Sequence, residues 1–287
     1  MKRVVYSLYI DIPKEDLDIF DKNLLKDGAP PTNYVTKLQL KTHYDDLVAS
    51  KQTYALAMGV EFKMFEYDLK FMNYQKQMQS KYPYLTAYNI VNFYKIHLLY
   101  ELSKEYDEVL YLDFDVVPMK YDNFFEHWDL SKGIAVLNNN DRRTLIENVS
   151  DTSQTIRSPS SKYFNAQAML FEKGLSSEND VINTGIIGAS AKHLKDLKYF
   201  DDFDNDLKLM CDLKDGSGIF PEKVLQYFGW DNETLFAVKL KEHKVPVQWL
   251  DDKWHYFFAD QGFIPEETIL CHTICKNFDL VWRRLNA

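Results

Sequence analysis

Cysteine is scarce: the 287-residue chain has three, Cys211, Cys271 and Cys275. So small and odd a number supplies no disulfide framework, so the fold must rest on a core of its own, and a reducing cytosol is the expected setting. The stretch CHTIC at 271–275 has half of a zinc pattern, but no second cysteine pair accompanies it, and buried free thiols are the commoner outcome. Basic excess is also lacking. Lys and Arg number 34 against 43 Asp and Glu, for a formal net charge of −9, and no Lys/Arg cluster stands out; nucleic acid is thereby excluded as the main ligand. The expected partners are neutral, or anions shielded by a metal. No apolar run approaches the ~20 residues that span a bilayer, and the apolar stretch in the opening MKRVVYSLYIDIP stops at Asp11, too short for a secretory signal. A cytoplasmic protein without signal peptide is the expectation, and in that setting the sequons at Asn148 and Asn232 have no meaning. Internal repeats and low-complexity segments are absent.

What is present is apolar side chain, 46% of the sequence, enough for the core of a single α/β domain over 1–287. VVYSLYI (4–10) is an apolar, β-branched and aromatic run, which predicts a buried strand. Residues 14–28 and 45–58 have helical spacing, with Gly28, two prolines and Asn33 marking a loop between them. Thr86 to Ser103 predicts a helix that Thr86 or Asn89 can cap, running into a strand at 108–112. Further strands are expected at 133–137, in NAQAMLFE (165–172), in DVINTGIIGAS (180–190), in VPVQWL and in ETILCHTI. The polar stretch 138–161 reads as disordered or as a working loop, and the acidic aromatic patch KYFDDFDND as a solvated face beside a short helix. PEKVLQYFGWDNETLFAVKLKEH reads as helix, turn, helix. Strands alternating with helices predict a mostly parallel sheet covered on both faces.

The chemistry is concentrated in VLYLDFDVVP (109–118). Side chains at i and i+2 of a strand share a face, so Asp113 and Asp115 are expected side by side at the carboxyl end of a central strand, where open α/β sheets place ligands. Two carboxylates ~6.5 Å apart repel by roughly 2.5 kcal/mol at an effective dielectric of 20. A hard divalent cation, Mg²⁺ or Mn²⁺, fits all-oxygen ligation there and can bridge to a diphosphate; the bland alternative is a pair of solvated turn residues. Two enzyme classes use Asp-x-Asp in this way. Haloacid-dehalogenase-like phosphatases take the first as nucleophile and the second as acid/base, which would enlist GIIGAS, Lys192, Asp251 and Asp252. Nucleotide-sugar glycosyltransferases hold a metal with the pair.

Taken whole, NFYKIHLLYELSKEYDEVLYLDFDVVP resembles the helix-strand-metal segment of GT-A-fold glycosyltransferases, especially family 8, the family of glycogenin and the bacterial lipopolysaccharide galactosyltransferases. INTGIIGAS, GWDNETLFAV with VPVQWLDDKWHYF, and LCHTICKNF are similar to three later segments of that family, in its order. Asn232-Glu233 stands where the family has Gln-Asp, Ile274 replaces a glycine and Asn277 a proline. The resemblance implies a GT-A (Rossmann-like) mixed, mostly parallel sheet flanked by helices, with a nucleotide-binding half over about 1–118 and an acceptor-binding half over about 119–287. It implies transfer of a sugar from a nucleoside diphosphate, UDP by expectation, to a hydroxyl of a glycan, glycolipid or protein-linked acceptor, with retention of configuration and with Mn²⁺ or Mg²⁺ as cofactor. By matching position, Asp113, Asp115 and His272 would hold the metal, Asp113 also contacting the donor ribose. Lys276 would neutralise the departing diphosphate. Lys95 would face donor phosphate or sugar, Asn183 and Gly185 would lie under the sugar, and Asp231 would accept from donor or acceptor hydroxyls. Leu8, Tyr9 and Ile10 would hold the base, Tyr9 by stacking. Each has an ordinary counterpart: a packed histidine, a solvated lysine, a helix-surface charge at Lys95, a strand bulge at Gly185, an N-cap at Asp231, a core tyrosine. A GT-A-shaped carbohydrate-binding protein without turnover is the non-enzymatic alternative.

Overall fold

The strands run in chain order β1 (Arg3–Leu8), β2 (Glu61–Phe65), β3 (Glu108–Leu112), β4 (Val116–Pro118), β5 (Ile134–Asn138), β6 (Ile182–Ser190), β7 (Val247–Trp249), β8 (Tyr256–Phe258) and β9 (Leu270–Thr273). They belong to a computed structural model that describes residues 1–12, 32–142, 158–216, 228–258 and 262–286. A six-stranded sheet has the order β2-β1-β3-β6-β5-β7, and a three-stranded sheet the order β4-β9-β8. In the large sheet β1 pairs in parallel with β2 and β3, and β5 with β7, while β6 runs antiparallel to both of its neighbours. The mixed, mostly parallel sheet expected from the sequence is therefore the one observed.

The helices are α1 (Thr32–Thr42), α2 (Tyr44–Ala57), α3 (Leu69–Lys81), α4 (Ala87–Leu102), α5 (Phe124–His127), α6 (Ser158–Glu172), α7 (Ala191–Leu197), α8 (Phe203–Lys214), α9 (Asn232–Glu242) and α10 (Phe278–Leu285). The strand period of two divides the core. Val4, Tyr6, Val109 and Tyr111 face one layer with Phe93, Met169, Leu207 and Phe236 from α4, α6, α8 and α9. Val5, Leu110 and Leu112 face the other, with Tyr54 and Met58 from the end of α2 and Phe124 from α5. A third cluster, with Phe114, Val117, Cys271, Phe278 and Val281, fills the space under the small sheet. Thr86 caps α4 in a reciprocal capping box with Asn89, as the sequence suggested. No helix among the described residues is long and apolar enough to cross a membrane.

Several expectations are corrected. Asn33 lies within α1 rather than in a loop, and NAQAMLFE is the second half of α6 rather than a strand. Ala166, Met169 and Leu170 bury one face of α6 at helical spacing, and a proline near its start suits a first helical turn, where the missing N–H costs nothing. α1, β2, α3, β4, α5, β8 and α10 are unanticipated. The expected helix 14–28, most of 138–161 and the helix before Gly229 lie outside the described residues.

KYFDDFDND is a solvated face only in part: Lys198, Asp201, Asp202, Asp204 and Asn205 are exposed, but the segment also anchors the core. Tyr199 and Phe203 are buried in the core, and Asp206 is completely buried, its oxygens 2.8 Å from both Lys173 and Lys239. Glu242 closes the cluster at 3.1 Å from Lys173 and 3.0 Å from Lys239, joining α6, α8 and α9. Removing one partner of such a cluster leaves a buried charge uncompensated. Asp206→Ala is expected to lower unfolding free energy by about 3–5 kcal/mol, measurable by urea denaturation; a loss below 1 kcal/mol would mean that the lysines reach water.

Candidate active site

Asp113 and Asp115 lie just past the carboxyl end of the strand expected at 108–112, in a turn rather than at alternate positions of the strand itself. β3 ends at Leu112 and β4 begins at Val116, and the backbone between them closes a tight turn through a hydrogen bond from Val116 N to Asp113 O, 3.0 Å. The turn crosses from the large sheet to the small one, and each of its three carbonyls is held. Asp113 N donates to Gly185 O on β6 (2.7 Å) and Asp115 O accepts from Thr273 N on β9 (2.9 Å). Phe114 O accepts from the ammonium of Lys51 on α2 (2.8 Å). With its carbonyls paired in this way, the turn is a rigid platform for two carboxylates.

β9 is antiparallel to β4, with His272 opposite Val116. His272 Nε2 thereby comes to 3.4 Å from Asp115 Oδ2 and 4.0 Å from Asp113 Oδ2. One ligand atom from each of Asp113, Asp115 and His272 can be chosen so that all lie within 4.8 Å of one another, the only such group of His, Cys, Asp or Glu among the described residues. Oxygen, oxygen and imidazole nitrogen form a donor set suited to Mn²⁺ or Mg²⁺. Cys271 does not contribute: it packs among apolar side chains, and burial pushes its thiol up to about 12.

The carboxylates are also surrounded by cations. Lys276, left-handed at φ +60°, folds back to pair with Asp115 Oδ2 and to donate to Ile274 O at 3.1 Å. Burial opposes the charge on Asp115, but the Lys276 ammonium leads the effects that outweigh it and hold this carboxyl well below its usual range; burial likewise works against the Lys276 ammonium, and Asp115 reverses it, so that its pKa is raised. Lys95 of α4, 4% exposed, reaches Asp113 Oδ1 at 3.4 Å, and the Tyr111 hydroxyl donates to the same oxygen. Lys95 is thus a buried partner of the turn rather than a helix-surface charge.

Asn183 and Gly185 come to the same place on β6. The Asn183 side chain accepts from Gly185 N at 2.9 Å, and a Cβ on residue 185 would sit 2.5 Å from His272 Cε1 and 2.7 Å from Nδ1. Glycine at 185 therefore makes room for the histidine ring. Leu8 is buried at the end of β1. Tyr9, just beyond it, stacks on Phe114 with ring centroids 4.7 Å apart, and Ile10 is half-buried. Asp231 caps α9, accepting from the backbone N–H groups of Glu233 and Thr234 and from the Thr234 hydroxyl. It lines an adjoining cleft of about 230 Å³ with Tyr88, Asn92, Lys162 and Trp230. Glu233, next along, is buried against Lys162 and accepts from Thr184 N at 2.7 Å. The residues a phosphatase would need are engaged elsewhere: Lys192 pairs with Asp196 on an exposed helix surface, and Asp251 caps a turn at Lys253 and Trp254.

Sequence reasoning missed Lys51, His255 and Lys162. Nothing near Lys51 in the chain marks it, since its partner Phe114 is distant in sequence. Burial lowers the Lys51 pKa from 10.5 to about 7, against the pull of Asp115 and Asp113. Between those values the unfolded chain holds a proton that the folded chain has lost, so stability rises with pH across that window. In metal-free protein, the parent should gain about 2 kcal/mol on Lys51→Met between pH 7 and pH 9, read as the difference in urea unfolding free energies. Parallel pH dependences would show that Lys51 titrates as a free amine.

The model of glycosyl transferase family 8 matches residues 4–202. No curated protein matches. Among solved structures, the galactosyltransferase LgtC in complex with donor and acceptor sugar analogues is 10% identical, with 99% of this chain and 95% of that one covered and a TM-score of 0.45. A glycosyltransferase involved in glycosylation of the major capsid of PBCV-1 is 13% identical over 100% and 98%, TM-score 0.43, and apo mouse xyloside xylosyltransferase 1 is 12% identical over 75% and 76%, TM-score 0.40. The family match takes in β1, the paired carboxylates and β6, and extends over more than half of the chain: this protein is a glycosyltransferase belonging to glycosyl transferase family 8.

Proposed function

We propose that the protein transfers a sugar from a nucleoside diphosphate, UDP being the favoured nucleotide, to an acceptor hydroxyl, with a divalent cation held by Asp113, Asp115 and His272. The observation that carries this reading is the convergence of those three side chains, with ligand atoms within 4.8 Å, at the turn between the two sheets. Mn²⁺ or Mg²⁺, when bound, would screen the diphosphate and act as a Lewis acid toward it. The chain's own residues do the rest. Lys276 and Lys95 offer fixed ammonium groups beside the carboxylates, where a leaving diphosphate accumulates charge. Asn183 and Gly185 line the wall that the sugar would occupy, and Leu8, Tyr9 and Ile10, continuing from β1, form the wall for the base. Asp113 would also meet the ribose.

Asp231 keeps acceptor capacity beyond its capping bonds and faces the cleft with Tyr88 and Asn92, which suits a hydroxyl-rich ligand. The neighbouring carboxylate Glu233 is committed to Lys162 and Thr184. Retention of configuration is the course this reading favours, one that needs no base to activate the acceptor. The acceptor is a glycan, glycolipid or protein-linked sugar in this reading, handled by the part of the chain after Pro118, while the part before it handles the nucleotide.

Asp115→Ala is expected to weaken Mn²⁺-dependent binding of the preferred UDP-sugar by roughly a hundredfold or more while circular dichroism and melting remain those of a folded protein. Calorimetry against a panel of nucleotide sugars checks this. Unchanged donor affinity in the variant would refute the site. Binding without any slow donor hydrolysis or transfer in the parent would favour a binding protein over an enzyme.

A further inference from the structure

His255 is completely buried just ahead of β8. Its Nε2 lies 2.9 Å from Nδ1 of His272, with the rings 5.2 Å apart and inclined by 28°. Phe257 stacks on His272 at 5.1 Å, and the bare backbone of Gly185 lies against the Cε1–Nδ1 edge, where a Cβ would come within 2.5 Å. The His272 ring is thus confined in one orientation, with Nδ1 toward His255 and Nε2 toward Asp115 and Asp113.

A neutral imidazole has one N–H and one lone pair, and the partner of one nitrogen decides what the other presents. Two arrangements satisfy this hydrogen bond. If His255 donates, the proton of His272 sits on Nε2, aimed at Asp115 Oδ2, and no lone pair faces the carboxylates. If His255 accepts, His272 carries its proton on Nδ1 and Nε2 turns a lone pair toward them. We propose that His255 is a positioning residue: by accepting at Nε2 it holds His272 in the Nδ1–H form, so that the pair acts as a preset ligand for a divalent cation shared with Asp113 and Asp115. This rests on the reading of those three side chains as a metal site. It assigns His255 no contact with substrate and involves no change in net charge.

The test combines Mn²⁺ titration calorimetry on the parent, His255→Gln, His255→Leu and Asp115→Ala with ¹⁵N-histidine spectra of the Mg²⁺-saturated parent. Gln places an accepting oxygen near the position of the imidazole Nε2; Leu places none. The expected results are a loss of about 10–100-fold in Mn²⁺ affinity for His255→Leu, near-parental affinity for His255→Gln, and a proton on His272 Nδ1 coupled across the hydrogen bond to His255 Nε2. Parental affinity in His255→Leu, equal losses in the Gln and Leu variants, or a proton on His272 Nε2 would each overturn the proposal. Should His255→Leu fail to fold, the Gln variant and the parental spectrum decide it. Mn²⁺ uptake that needs Asp115 but ignores His255 defeats this inference alone; uptake indifferent to Asp115 defeats the metal site.

Discussion

Two negative charges on a tight turn, with the turn's backbone tied down and positive side chains on several sides, form the constraint around which this molecule is arranged. Asp113 and Asp115 cannot move apart, because the turn that carries them is hydrogen-bonded to β6, β9 and α2. Their repulsion has to be answered in place. Lys95 answers it from α4 and Lys276 from the loop after β9, while Lys51, its pKa lowered by burial, ties the backbone of the turn from below. These elements come from widely separated parts of the chain, so the charge arrangement is a product of the whole fold.

The sheet topology explains why they meet. Because β6 runs against its neighbours, its Asn183–Gly185 end lies beside the end of β3 rather than at the opposite edge of the sheet. That reversal places Gly185 under His272 and lets its carbonyl take the Asp113 N–H. A wholly parallel sheet would have brought the other end of β6 to the acidic turn.

β1, β3, β5 and β6 were legible because they are largely buried and read as apolar runs; β3, with Val109 to Leu112 enclosed, is the plainest case, whereas the partly exposed β2 escaped notice. α6 was misread because a short apolar run gives no period by which to tell strand from helix. β8, a three-residue strand, is too short to show alternation. For the site, Asp113, Asp115 and His272 could be named from motif and order, yet the tie of their turn to β6, β9 and α2 could not, since those partners are distant in sequence. Asp206 and Lys51 were illegible for a simpler reason. A charged residue in a sequence looks solvated until the fold supplies a distant partner, and theirs lie on other elements.

The acidic turn is also the seam between the two sheets. Asp113 is anchored to the large sheet through β6, whereas Asp115 and His272 are anchored to the small one through β4 and β9. An ion gripped by all three would therefore pin one layer to the other at the point where the chain passes between them, adding to the packing of Leu112 and Ile186 against Val116 and Leu270. Occupancy would then be felt as mechanical stiffness across the layers, well beyond the coordination sphere itself.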